Sequence, residues 1–140
     1  MKKLLNKNII ILSIFIIAVA AVIIQVAYEE KLIRSDPSLT LGKIINSSKP
    51  PSGRLGRSYT YEFVVNSQKF KGSFYESSFC ERYRSYQEDL EIAKSKIPVI
   101  YYKQNPKINE MLLKKIQYSK YDLKYPDSLK VFLNKYFNCD

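Results

Sequence analysis

The chain has 140 residues, with 23 basic against 13 acidic side chains, and contains neither histidine nor tryptophan. That length leaves room for one modest domain beside a terminal segment. Without histidine the commonest general base, the Ser-His and Cys-His nucleophile pairs and the imidazole metal sites are excluded, and an enzyme would have to rest on carboxylates, Tyr, Lys or Cys. No constellation of these stands out, and neither a catalytic centre nor a cofactor or metal site is expected.

Residues Ile9 to Ala27 form an apolar run broken only by Ser13 and Gln25. As a helix this run spans about 28 Å, close to the hydrocarbon thickness of a bilayer. Lys2, Lys3 and Lys7 precede it and Glu29 and Glu30 follow it, an asymmetry that puts the N-terminus in the cytoplasm and the body of the chain outside. The expectation is a transmembrane signal-anchor over residues 1–28 in the cytoplasmic (inner) membrane. The alternative is a cleaved signal peptide, because Ala18-Val19-Ala20 offers a small-x-small site and a cut near Ala20 would release the domain as a secreted or periplasmic protein. Val22, Ile23 and Ile24 continue the run past that site and favour retention.

Residues 29–39 read as a polar connector, whose first turns extend the membrane helix until Asp36-Pro37 stops it. Residues 40–140 read as an extracytoplasmic β-rich domain. Thr40 to Ser47 is a first strand, and Ser48 to Arg57 is a loop of Ser, Pro, Gly and basic residues. Tyr59, Tyr61, Phe63 and Val65 alternate on one strand face. After the Asn66-Ser67-Gln68 turn, Phe70, Gly72 and Phe74 alternate on the next, so the two runs predict an antiparallel hairpin.

The period changes over Ser77 to Ile97. Phe79, Tyr83, Tyr86, Leu90, Ala93 and Ile97 recur at helical spacing, and Pro98 stops the helix. Val99 to Tyr102 predicts a short buried strand, Lys103 to Lys107 a turn, and Asn109 to Leu113 a last strand. A final helix is expected from Ser128 to Tyr136, capped by Asp127, with Leu129, Phe132, Leu133 and Tyr136 as a core stripe. The fold class is α+β: an N-terminal transmembrane helix, a small antiparallel sheet or open β-barrel with a helical insert, and a C-terminal helix.

Between Thr40 and Leu113 the chain resembles an uncharacterised bacterial family of membrane-anchored proteins with a small β-rich domain. The resemblance is carried by Gly42-Lys43-Ile44, Tyr61-Glu62-Phe63-Val64-Val65, Phe70-Lys71-Gly72, Ile97-Pro98-Val99-Ile100-Tyr101-Tyr102 and Asn105-Pro106. The chain departs from that pattern in the long insert from Ser77 to Lys96. The resemblance implies a small β-sheet or open barrel and no particular activity.

Four features carry chemistry. Cys80 and Cys139 are the only cysteines; outside the cytoplasm they are a candidate disulfide, with two unpaired thiols as the alternative. Arg54 and Arg57, with Lys69 and Lys71, are candidate anion-binding residues, although Gly53-Arg54-Leu55-Gly56-Arg57 lacks the lysine-serine ending of a phosphate loop. Glu88, Asp89 and Glu91 read as the solvated side of the insert helix rather than an acid/base pair. The alternating aromatics are needed in the core, so no nucleic-acid partner is expected despite the basic charge. These features predict a non-enzymatic, membrane-tethered envelope module that binds a protein partner or serves a structural role. The alternative is a binder of an anionic ligand or lipid headgroup through its basic surface.

Overall fold

The computed structural model describes residues 2–48, 56–77 and 91–136. Helix α1 runs without a break from Lys2 to Ser35. Side chains from Ile9 to Tyr28 are exposed along its whole circumference, as an apolar helix without a protein partner must leave them. The helix stops before Asp36-Pro37, where the proline ring disfavours a helical residue ahead of it.

Five antiparallel strands follow: β1 (Pro37–Ser48), β2 (Gly56–Val65), β3 (Gln68–Ser77), β4 (Ile97–Tyr102) and β5 (Asn105–Met111). Their order is β3-β2-β1-β4-β5. β1, β2 and β3 form a meander, and β4 returns to lie beside β1, which is a Greek key. The sheet curls until β3 approaches β5, leaving a nearly closed five-stranded barrel.

The hairpin falls where alternation places it, with Phe63 opposite Phe70 and Tyr59 opposite Phe74. Its two-residue turn puts Asn66 at φ 48° and Ser67 at φ 65°, the twist that suits a tight hairpin. Tyr59, Tyr61 and Phe63 are buried, as are Ile44 of β1, Val99 and Tyr101 of β4 and Met111 of β5. Stacked rings fasten β2 to β3: the Tyr59–Phe74 and Phe63–Phe70 centroids are 4.9 Å and 5.7 Å apart.

Glycines permit two close approaches inside the barrel. A Cβ on Gly42 would stand 2.8 Å from Val99 Cγ2 and 3.2 Å from the Glu62 carbonyl. One on Gly72 would overlap the Tyr61 phenol and the Asn109 amide. The Tyr61 ring crosses that gap instead, and its hydroxyl donates to Asn109 Oδ1 at 2.7 Å, tying β2 to β5 through the interior.

Several boundaries differ from expectation. β1 starts at Pro37, three residues early, because a proline is tolerated as the first residue of a strand. Ile97 and Pro98 open β4 instead of ending a helix. The Pro98 carbonyl accepts from Leu112 N at 2.8 Å, so its missing donor lies on that side, just beyond the β4–β5 ladder, and the pairing with β1 is intact. β5 starts at Asn105, and the register shifts between Tyr101 and Tyr102 to absorb Pro106 in a bulge. Asn109 Nδ2 satisfies that bulge by donating to the Pro106 and Lys107 carbonyls, at 2.9 Å each.

Of the expected insert helix, residues 91–94 are helical and the segment 78–90 lies outside the described residues. Two short helices follow β5: α2 (Lys115–Lys120), in a stretch to which the sequence assigned no element, and α3 (Asp127–Tyr136). Leu129 and Leu133 of α3 are buried in the common core and Phe132 packs against it.

Candidate functional site: the helix junction and the outer sheet face

The two chemically distinctive regions lie side by side on the outside of the barrel. The first is the junction between α1 and the domain. Ile33, on the last turns of α1, is buried in the core cluster. One turn earlier Glu30 receives Arg34 at 2.8 Å and Lys120 at 3.2 Å. Lys120 also reaches Glu110 of β5, at 3.0 Å, so a single ammonium bridges helix and sheet.

Glu110 is the hub of this junction. Its Oε2 accepts the Tyr121 hydroxyl at 2.7 Å, and its Oε1 accepts Gln117 Nε2 at 2.9 Å. The Gln117 carbonyl in turn accepts the backbone N–H groups of Leu113 and Lys114, at 2.7 and 2.8 Å. A glutamine three residues into a helix thus satisfies donors that the helix start leaves open. The cationic Arg34 and Lys120 stand 5.9 Å and 5.1 Å from the Tyr121 ring centre.

Burial shapes the tyrosines here. It pushes the Tyr118 hydroxyl up to about 12. Tyr121 is displaced upward too, first by burial and then by the Glu110 carboxylate that its proton bridges. Tyr118 stacks edge-on against Tyr125 with centroids 5.1 Å apart.

The second region is the outer face of β1, β2 and β3. Leu39 and Leu41 are each 55% exposed and Val64 49%. Lys43 lies opposite Glu62, Glu62 opposite Lys71, and Val64 opposite Lys69. Lys69 pairs with Glu62 at 3.3 Å and still leaves most of its side chain in water. The face therefore holds three lysines against one glutamate around a short apolar stripe.

Of the basic residues singled out in the sequence, Lys69 and Lys71 meet on this face. Arg57 stands at the other end of the hairpin, on the strand parity of Tyr59, and does not join them. Arg54 lies outside the described residues, as do Cys80, Cys139, Glu88 and Asp89. Glu91 pairs with Lys135 at 3.1 Å. Lys43 was overlooked in the sequence; the alternation that turns Ile44 inward is the signal that places it outward. Among the described residues no three Asp, Glu, His or Cys side chains gather in a way that could hold a metal ion.

α1 supplies the one helix among the described residues that is long and apolar enough to be a membrane anchor or a signal sequence. In comparisons with protein-family models, curated proteins and solved structures, the chain matched none of them.

Proposed function

We propose that this chain is a single-pass protein of the cytoplasmic membrane. Its N-terminus lies in the cytoplasm, and its barrel domain stands outside as a non-enzymatic protein-binding or structural module. The observation that carries the reading is the continuity of α1, a helix that leaves the apolar run and enters the domain core without a hinge. Ile33 and the Glu30–Lys120–Glu110 bridge hold its last turns against β4 and β5. A cut near Ala20 would leave Val22, Ile23, Ile24 and Val26 projecting from the remnant into water, which favours a retained anchor. An anchor that merely tethers could end in a flexible linker. One built into the fold transmits position and orientation, as a structural or docking module requires.

Fusion of alkaline phosphatase or of green fluorescent protein after Asp140 tests the orientation. The reading expects phosphatase activity and a dark fluorescent fusion; the reverse pattern overturns it. A second reading, binding of an anionic ligand or lipid headgroup, is favoured by the excess of lysine over glutamate on the outer sheet face.

A further inference from the structure

The outer barrel surface is covered in one part and bare in the next. Along β4 and β5 the end of α1 packs against the strands, Gln117 and Tyr121 reach Glu110, and Ile100 is buried. Along β1 and β2, Leu39, Leu41 and Val64 are open to water. Leu39 comes only four residues after the end of α1, so the bare stripe borders the place where the membrane helix joins the fold.

Distances along α1 put that border near the membrane surface. Tyr28 directly follows the apolar run, where an exposed aromatic ring suits the interface. From Tyr28 to Ser35 the helix rises about 10 Å, and the polar layer of one leaflet is roughly 5–8 Å thick. The helix end therefore stands at the outer edge of the headgroups, and because Glu30, Ile33 and Arg34 are fastened to the domain, it has no slack with which to move farther off.

The composition of the face selects its occupant. Lys43, Lys69 and Lys71 against Glu62 give it a positive excess, and lysine stems lie along apolar surface while their ammonium groups reach phosphate. A second copy of the chain suits it poorly. Even with Ile45 and Tyr75, exposed elsewhere on β1 and β3, the apolar side chains fall far short of the roughly 1,200 Å² a stable interface buries, and two such faces would bring lysines against lysines.

We propose that the outer face formed by Leu39, Leu41 and Val64, rimmed by Lys43, Lys69 and Lys71, rests on the anionic headgroups of the bilayer that α1 enters. The proposal depends on α1 being a retained membrane span, and it gives the lipid-headgroup reading a defined surface.

Because the chain has no tryptophan, single substitutions provide unique emitters. The full chain carrying Leu41→Trp is placed in nanodiscs of phosphatidylcholine alone or mixed with phosphatidylglycerol, each with a brominated lipid as quencher. Val131→Trp, on the exposed side of α3, is the reference, and Phe15→Trp reports insertion of α1. The proposal expects several-fold stronger quenching at Leu41 than at Val131 in the anionic discs, reduced by high salt and by the combined K43Q, K69Q and K71Q changes. Equal quenching at both positions overturns it. So does a blue shift at Leu41 without quenching, which would mark a protein occupant or a second copy. Val64→Trp serves if Leu41→Trp does not fold. An unquenched Phe15→Trp would instead overturn the membrane-span reading itself.

Discussion

Leu39 and Ile100 lie directly opposite each other on β1 and β4 and point to the same side of the sheet, yet Leu39 is 55% exposed and Ile100 1%. The end of α1 packs against β4 and β5, and the edge of the covered surface falls between the two residues. This contrast gives a direct check on the arrangement. Ile100→Ala should cost about 2–4 kcal/mol in urea unfolding of the full chain in detergent, as for other buried aliphatic truncations. Leu39→Ala should stay within about 0.5 kcal/mol, as surface changes do. Equal losses at the two positions would mean that the cover extends over both strands.

Glu110 accepts from Tyr121, Gln117 and Lys120 together, so its removal leaves several partners unsatisfied. Glu110→Ala is expected to destabilise the domain by about 1–3 kcal/mol. Glu30→Gln loses ion pairs in a site that water still reaches, and its effect should remain below about 1 kcal/mol. Thermal unfolding of both variants in the same detergent checks the ranking; a larger loss at Glu30 would show that the helix-to-sheet bridge dominates the junction.

Alkaline pH should unfold the domain through its tyrosines. Burial raises Tyr118 to about 12, and Tyr61 and Tyr121 are displaced in the same direction, chiefly by burial. The folded state then holds protons that the unfolded chain releases near pH 10. The associated stability is fully present below about pH 10 and declines as pH rises through 10 toward 12. Tyrosinate absorbance followed alongside circular dichroism measures this. The expected result is a group of tyrosines that ionise only as the sheet signal is lost; ionisation of every tyrosine near pH 10 with the sheet intact would contradict it.

The Tyr61 phenol occupies the space that Gly72 leaves empty and reaches Asn109 across the barrel. Gly72→Ala should therefore destabilise by about 1–3 kcal/mol through overpacking. Tyr61→Phe should cost roughly 1 kcal/mol for the lost hydrogen bond. Because a displaced Tyr61 has already lost Asn109, the double variant should cost less than the sum of the two. Simple additivity in a double-mutant cycle would place the clash elsewhere.

Much of the fold was legible because two periodicities were clean. Tyr59, Tyr61 and Phe63 against Thr60 and Glu62 defined β2, and Leu129, Phe132 and Leu133 defined the last helix. β1 was harder to delimit because its pattern runs the wrong way. Leu39 and Leu41 point outward, while the small or polar Thr40 and Gly42 share the inward parity of Ile44, since Val99 and Met111 already fill the space over Gly42. Pro98 and Pro106 read as breaks, yet one sits where a ladder ends and the other in a bulge. The junction was not legible at all. Glu30, Glu110 and Lys120 are brought together by chain reversal, and no local spacing signals that Glu110 will meet Tyr121. Nor could the basic residues be sorted by sequence proximity, because strand register decides that Lys69 and Lys71 are joined by Lys43, which the sequence reading left out, and not by Arg57.

The central claim is that α1 is retained as the membrane anchor of the domain it enters. The intact mass of the protein recovered from the membrane fraction tests this most directly. A chain still carrying the segment Ile9 to Ala27 is the expected result. A product beginning just after Ala20, recovered outside the membrane, would contradict the account.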